Sequence, residues 1–408
     1  MAFFKQTINT VPLQHETVLL RADYNVPLNA DGAIADDFRI RASLPTVKQL
    51  LKDGCKVVII SHLGRPDGKK DPSLSLEPVA GRLAELLGEP IRFVDQTVGD
   101  KVKMAIKRAP KGSVIVLENL RFDPREEQND EGFARELAQS STARYFVQDG
   151  FGVVHRAHAS TAAITLFLPS VAGLLLEREY TTITRAMKSP ERPLVAVLGG
   201  AKVSDKIEVV HEFIKVADQL IISGAMANTF LEVKGLNLGK SKYEKDEDGT
   251  VAAIYEAAKQ KVGADKVDDF LILPTDLAVG TSFADQPRRS VKANALGDND
   301  LALDIGDNSI EAMVSYVAKA KTVVWNGTLG MAEFPNFAHG SARLALELAT
   351  HPSITSIIGG GDTADFVLGW DSKKGGSFTH VSTGGGASLE LMAGKKLPGI
   401  ESLLDAHS

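Results

Sequence analysis

The sequence predicts an α/β protein built on two doubly wound, Rossmann-like parallel sheets. Three observations carry this. Short runs rich in Val, Ile and Leu alternate with amphipathic stretches along the whole chain, and strands without polar alternation belong to parallel sheets covered on both faces. At 408 residues the chain exceeds what one core usually supports. A single helix-like stretch ending at a proline divides the alternating series in two.

In order, the first series of strand runs is "TVLLRADYNV", "KVVIISHL", "IRFV", "SVIVLEN" and "RYFVQDGF". Between them, Leu76, Val79, Ala80, Leu83, Leu86 and Leu87 recur at spacings of three and four, as do Phe133, Ala134, Leu137 and Ala138, which marks amphipathic helices. The stretch 171–189, "VAGLLLEREYTTITRAMKS", reads as one helix stopped by Pro190. A second series follows: "PLVAVLGG", "QLIISG", "DFLILPTD", "TVVWNG", "SITSIIGG" and "FTHVSTGGG". The expected division is therefore a domain over 1–170, a connecting helix over 171–189 and a domain over 190–394. The tail 395–408 has no sheet of its own and is expected to dock elsewhere. No internal repeat and no low-complexity segment interrupts this pattern.

Composition is that of a soluble globular protein, with 44 % hydrophobic and 24 % charged residues. No apolar run approaches 18 residues, so no membrane span is expected. The start, "MAFFKQTINT", lacks a basic region followed by an apolar one, and the expected location is the cytoplasm. A lone cysteine cannot form an internal disulfide, and Cys55, at the head of an apolar run, reads as a small core residue. The net charge of −6 argues against a general nucleic-acid binder. The charge is uneven: residues 1–170 carry a net +1 and hold twelve of the 18 arginines, and the remainder carries −7. Arginine is the planar, permanently charged fork that grips carboxylate and phosphate.

Glycines close nearly every strand of the second series: Gly199-Gly200, Gly224, Gly327, Gly359 to Gly361 and Gly384 to Gly386. Turn chemistry explains single glycines, but two triplets at strand ends suit a phosphate approaching backbone N–H groups at helix starts. Asp362 could partner a phosphate-bound Mg²⁺, and Thr363 adds a hydroxyl. There is no GxxxxGK[ST] and no HRD or DFG set, so a P-loop protein and a protein kinase are excluded, and with no GxGxxG the usual dinucleotide-binding site is unsupported. Lys202 and Lys206, at i and i+4, would repel on an empty helix face and suit a polyphosphate. In the first series Asp23, Asn25, His62, Arg65, Arg121, His155, Arg156 and His158 follow strands, and Arg39 opens a helix. The stretch "FGVVHRAHAS" admits a metal site, a structural polar loop or an anion site. Gathered at one sheet edge, these arginines and histidines would hold a strongly anionic ligand.

The segments "RADYNVPL", "SHLGRP", "ENLRF", "FGVVHRAHAS", "LGGAKVSDKI", "WNG", "GGGDTA" and "STGGGASLE", in this order, make the chain resemble the phosphoglycerate kinase family over essentially its whole length. The resemblance implies two domains facing a cleft, joined by a helix, with the C-terminal tail returning to the first. It implies reversible phosphoryl transfer from 1,3-bisphosphoglycerate to ADP, giving 3-phosphoglycerate and Mg-ATP, by a cytoplasmic enzyme expected to be a monomer. The acid would lie on the first domain against Asp23, Tyr24, Asn25, Arg39, His62, Leu63, Gly64, Arg65, Arg121 and Arg156. The nucleotide would lie on the second against Lys202, Lys206, Gly224, Asn326, Glu333, Gly360, Gly361, Asp362 and Thr363, with Asp362 the protein ligand of Mg²⁺. The sequence departs from the family where Thr328 replaces a usual proline, Ala332 a phenylalanine, Gly150 an alanine and Ser223 a glycine. The first and third should loosen backbone. The second and fourth touch the expected base and ribose pocket.

An acyl phosphate is a reactive donor and an ADP oxygen is already anionic, so no general base is required. Arg39, Lys206 and the Gly384, Gly385 and Gly386 backbone N–H groups are expected to stabilise the charge of the transferring group. Substrates on separate domains call for a hinge closure. Two alternatives stay open at this point: another carboxylate kinase, which a panel of small acids would separate, and a non-catalytic nucleotide sensor, which should lack one of the arginines.

Overall fold

The computed structural model describes residues 3–406. The chain forms two compact units: one runs through Thr181 and takes in the chain end from Lys396, and the other is Thr182–Lys395.

The first unit holds β1 (Thr17–Arg21), β2 (Lys56–Ile60), β3 (Ile91–Val94), β4 (Val114–Leu117), β5 (Tyr145–Gln148) and β6 (Ser170–Ala172). They form one sheet in the order β3-β4-β2-β1-β5-β6, every pair parallel. The helices are α1 (Phe38–Lys52), α2 (Glu77–Leu87), α3 (Asp100–Arg108), α4 (Glu131–Ser141) and the start of α5 (Leu174–Lys188). Successive strand residues feed two cores. Val18, Leu20, Val57, Ile59, Val114 and Val116 pack on one face with α1 and α2, while Leu19, Val58, Ile60, Ile115 and Phe146 pack on the other with α3 and α4. This is why the strands carry no polar alternation. Cys55 lies in the first of these cores, where its Sγ donates to the Leu13 carbonyl at 3.0 Å, and burial pushes its thiol up to about 11. The tail packs here too. The Lys5 ammonium donates to the carbonyls of Glu401 and Leu403, the Gln6 N–H donates to the Leu404 carbonyl, and Gly399 N–H reaches Val154.

The helix expected over 171–189 begins later than the sequence suggested. Val171 and Ala172 belong to β6, paired with β5, and α5 starts at Leu174. A short apolar run does not reveal its own geometry, and here the open edge of the sheet claims it.

The second unit holds β7 (Leu194–Leu198), β8 (Gln219–Ile222), β9 (Leu271–Ile272), β13 (Thr322–Asn326), β14 (Thr355–Gly359) and β15 (His380–Val381), in a parallel sheet of order β15-β14-β13-β7-β8-β9. Its helices are α6 (Ile207–Val216), α7 (Gly224–Val233), α8 (Asp248–Val262), α9 (Val267–Phe270), α10 (Asp307–Val317), α11 (His339–Thr350), α12 (Gly361–Trp370) and α13 (Gly385–Met392), and a short α14 (Pro398–Glu401) sits in the tail. A separate antiparallel sheet, β11-β10-β12, is made by β10 (Asp276–Gly280), β11 (Arg289–Lys292) and β12 (Leu301–Ile305). The sequence does not announce it: β11 is largely exposed and therefore polar. Of "DFLILPTD", only Leu271–Ile272 joins the parallel sheet, because Val267–Phe270 coils into α9 and Asp276 opens β10 of the antiparallel sheet.

In each sheet the strand order reverses once, between β1 and β5 and between β7 and β13. Open parallel sheets bind ligands at the carboxyl ends beside such reversals. No helix among the described residues is long and apolar enough to cross a membrane.

Candidate active site

In the first unit, charged side chains collect beyond the carboxyl ends of β1, β2, β4 and β5. Asp23 follows β1 by two residues and is buried. Its Oδ2 accepts from Arg39 Nη1 at 2.9 Å and its Oδ1 from the Asn25 N–H at 3.1 Å. Asn25 Oδ1 accepts from the Gly64 N–H at 2.8 Å, and the Gly64 carbonyl accepts from Arg121 Nη1 at 2.8 Å. One continuous set of bonds therefore links five of the expected residues and orients two guanidinium groups. Arg39 sits in the first turn of α1, where the helix dipole disfavours a cation. Helix stability does not explain its place there, but a site for an anion does.

His62 is 3 % exposed. Burial, then Arg21, Arg121, Arg39 and His158 in that order, hold its imidazolium form well below the ordinary histidine range. His158 is pushed down to about 3 by burial and then by Arg21, Arg121 and Arg156. Both rings are therefore neutral near pH 7, and the positive charge of the site comes from arginine alone. Arg156 is exposed and close enough to Arg121 to depress it. Arg65 is exposed on the turn beside Gly64. Tyr24 and Leu63 serve the scaffold: the Tyr24 hydroxyl meets Ser43 Oγ at 2.9 Å, and the Leu63 N–H donates to Asn119 Oδ1.

The stretch 151–160 forms a short 3-10 turn over Phe151–Val153 and then loops, so His155 and His158 share no helix face. Among the described residues no group of three or more His, Cys, Asp or Glu could hold a metal ion. Of the three roles the stretch admitted, a wall of an anion site fits its arginine neighbours.

The second unit builds its half from backbone. Gly199 and Gly200 follow β7, and Gly327 follows β13. A Cβ on Gly199 would lie 2.1 Å from the Thr328 carbonyl, and Gly327, at φ +97°, would place one 2.3 Å from the Gly199 carbonyl. Both positions are closed to any side chain by backbone on the facing turn. Lys206 Nζ donates to the Gly199 carbonyl at 2.7 Å and the Asn326 carbonyl at 3.1 Å. Burial brings this ammonium down to about 8 against the pull of Asp362 and Asp205. Thr363 Oγ1 accepts from the Gly327 N–H at 2.7 Å.

Gly361 and Gly385 open α12 and α13, and a Cβ on Gly385 would lie 3.0 Å from the Gly361 nitrogen. Two helix N-termini therefore abut, and their partial positive charges add. Asn326 Nδ2 is buried without a partner, and a Cβ on Gly360 would lie 3.3 Å from it. Gly361 has negative φ and open space around its missing side chain, so the protein's own packing does not require glycine there. Beside these turns lies a cavity of about 150 Å³ lined by Gly200, Gly224, Asn228, Leu303, Thr328 and Asp362. A larger cavity of about 700 Å³ lies against Ile221, Leu231, Leu271 and Met313. The Asp276 carboxylate in its wall is already bonded to Ser309, Asn308 and Ser290. It gathers no glycine turn, and the helix start in its wall, at Asn308 and Ser309 of α10, already gives its N–H groups to Asp276, so the smaller cavity is the candidate site.

Lys202 and Lys206 do not share a helix face. Lys202 is exposed in the loop after β7, and Lys206 immediately precedes α6. Buried Val203 pins that loop and separates them. Glu333 is exposed on the turn after β13. Gly224, at φ +65°, begins α7 against Gly200. Ser223 keeps an extended backbone and donates to the Leu198 carbonyl at 3.3 Å, so a side chain is accommodated there. Gly150 faces the Ala22–Asp23 backbone, where a Cβ would lie 3.1 Å from Ala22 C.

Sequence reasoning passed over Arg21, Glu126, Ser160, Asn228 and Asp304. Glu126 sits in the charged run "DPREEQND", which reads as solvated surface, yet it is fully buried. Arg21 closes an apolar strand, and a lone arginine in that place was the one available signal.

Comparison with known proteins agrees along the full chain. A model of the phosphoglycerate kinase family matches residues 8–395. The phosphoglycerate kinase of Moorella thermoacetica is 46 % identical over 404 residues, 98 % of this chain and 99 % of that protein. The one from Pelotomaculum thermopropionicum is 44 % identical over 403 residues, again 98 % and 99 %. Among solved structures, phosphoglycerate kinase from Coxiella burnetii superposes with a TM-score of 0.83 at 34 % identity, covering 98 % of each chain. The Pyrococcus horikoshii OT3 enzyme gives 0.82 at 30 %, also covering 98 % of each.

Proposed function

Because the chain belongs to the phosphoglycerate kinase family, we propose that its two anion sites divide the reaction between them. The activity is the glycolytic phosphotransferase step with a carboxyl group as acceptor: 1,3-bisphosphoglycerate and ADP exchange a phosphoryl group to give 3-phosphoglycerate and ATP. The first unit takes the acid substrate and the second takes the nucleotide. The observation that carries this assignment is the pair of abutting helix N-termini in the second unit, with half-buried Lys206 and the unpaired Asn326 amide beside them.

On the first unit, Arg39 and Arg121 are held in place by Asp23 and the Gly64 carbonyl and present their remaining N–H groups to the substrate's oxygens. Arg65 and Arg156 add exposed charge. On the second unit, Lys206 and the backbone N–H groups of Gly361, Gly385 and Gly386 take up charge on the transferring phosphoryl group, while the Gly384 N–H, expected to join them, donates to Ser382 Oγ at 3.2 Å. Donors already in place are worth about 3–4 kcal/mol each in such a site. Neutral His62 and His158 move no proton. Mg²⁺ arriving with the nucleotide would neutralise phosphate charge. The single carboxylate at the glycine turn, Asp362, suits an ion that keeps most of its coordination for phosphates and water. Transfer needs both substrates within reacting distance, so the enzyme compacts when both are bound. The reading takes the protein as a cytoplasmic monomer.

A coupled assay with 3-phosphoglycerate and Mg-ATP tests the reaction, and paired variants test the division. Arg65→Ala should raise the KM for 3-phosphoglycerate alone, and Gly361→Ala that for the nucleotide alone. Crossed effects would overturn the assignment.

A further inference from the structure

We propose that Arg21, which none of the roles above employs, is the positioning residue that decides which nitrogen of His62 carries the proton. The inference rests on the reading of the first unit as the 3-phosphoglycerate site.

Arg21 ends β1 and is 1 % exposed. Its Nε donates to Ser160 Oγ at 2.8 Å, its Nη1 donates to the Ala22 carbonyl at 2.5 Å, and its Nη2 lies 3.3 Å from His62 Nδ1. A guanidinium has five donors and no acceptor. In the third contact only the imidazole can accept, so Nδ1 holds a lone pair and the proton sits on Nε2. A ring protonated on both nitrogens would set an N–H against an N–H.

The direction is enforced from behind. Ser160 Oγ receives the Arg21 Nε proton and gives its own to Glu126 Oε1 at 2.5 Å, while the Ser160 N–H donates to Glu126 Oε2 at 3.0 Å. Glu126 is fully buried, and its Oε1 is 4.0 Å from Arg21 Nη2. The polarity of Glu126, Ser160, Arg21 and His62 thus runs one way only. Asp23 is the one facing group that would favour a proton on Nδ1. Its Oδ1 stands 4.0 Å from that nitrogen and already accepts the Asn25 N–H, while its Oδ2 is held by Arg39. The other groups facing the ring are Arg39, Arg121 and His158, and none accepts a proton from it.

Nε2, which no described residue bonds, is left as a fixed donor. The tautomer of a histidine is set by the bond its other nitrogen makes. A permanent N–H at this place recognises an anionic or hydroxyl oxygen of a small phosphorylated hydroxy acid without taking up a proton.

Nitrogen NMR on the full-length protein with labelled histidine side chains tests this. His62 should show an unprotonated Nδ1 and a protonated Nε2, unchanged from about pH 8 to about pH 5.5, and 3-phosphoglycerate should shift Nε2. The double variant Arg21→Met, Glu126→Gln removes both buried charges, so neither is left unpaired. There the tautomers should mix, the ring should titrate, and the KM for 3-phosphoglycerate should rise about tenfold with kcat within about twofold. Ser160→Ala, which frees Arg21 Nε and leaves both charges, should move the same signals less. A protonated Nδ1 in the native protein, or unchanged tautomer and titration in both variants, overturns the proposal. If the tautomer behaves as stated but 3-phosphoglycerate moves no resonance of His62, Arg21 keeps its role and the substrate assignment of this unit fails instead.

Discussion

On the proposed reading, the two units meet the same demand, holding a multiply charged anion, with opposite materials. The first uses long side chains. Its guanidinium groups are fixed by carboxylates and carbonyls, as Arg39 is by Asp23 and Arg121 by Gly64, and its histidines are kept neutral. The second uses main chain: helix starts at Gly361 and Gly385, turns at Gly199 and Gly327, and a single half-buried lysine. A site of arginines loses function when charge is removed and is indifferent to pH in the physiological range. A site of backbone loses function when atoms are added, and its lysine, lowered to about 8, makes it sensitive to alkali.

The sharpest way to break this contrast is to add one methyl group to the second unit. Gly327→Ala forces an L residue to φ +97° and drives a Cβ to 2.3 Å from the Gly199 carbonyl. A loss of about 3 kcal/mol or more is expected. A thermal unfolding midpoint equal to the native one would show that the turn is not packed backbone on backbone. Arg39→Ala in the first unit should instead leave folding intact and cut turnover about a hundredfold; steady-state rates close to native would remove Arg39 from the mechanism.

The neutral histidines can be tested through stability. His158 has a folded value near 3 against about 6.5 unfolded. Between those limits the unfolded chain binds the extra proton, so stability falls as pH falls through 6.5. From pH 7 to pH 5 the native protein should lose about 2 kcal/mol more than His158→Gln. Asp149 and Asp304, each raised to about 7 by burial, gain stability as pH falls through 7, and do so in both proteins. Equal losses in denaturant titrations of the two proteins would mean that His158 is protonated in the fold.

Gly361→Ala sharpens the comparison from the other side. The added methyl meets open space and an ordinary φ, so stability should stay within about 0.5 kcal/mol while the nucleotide KM rises about tenfold. An unchanged KM would move the phosphate elsewhere. The smallest effect is the alkaline one. Lys206 must be charged to hold phosphate, so raising the pH from 8 to 9 takes most of the free enzyme's ammonium away and should raise the nucleotide KM several-fold. An equal rise in the KM for 3-phosphoglycerate would assign the titration to another group.

Much of both sites was legible because strand-end motifs survive as local strings. "GGGDTA" and "STGGGASLE" announce α12 and α13, and "SHLGRP" places His62 after β2. What stayed hidden depends on partners remote in sequence. Glu126 looks like surface charge until Ser160 and Arg21 close over it, 34 and 105 positions away. The spacing of Lys202 and Lys206 imitates a helix face that the loop after β7 never forms. β11 has too few buried residues to leave an apolar trace.

By itself, the sequence determined the class of fold, the succession of strands and the residues able to grip phosphate, since apolar period, glycine and arginine each act through chemistry that a single position carries. Only the tertiary structure decided which of these groups are charged, which nitrogen bears a proton and which glycines are closed by facing backbone. Those properties follow from burial and from neighbours brought together by folding, and no local string encodes the distance between them.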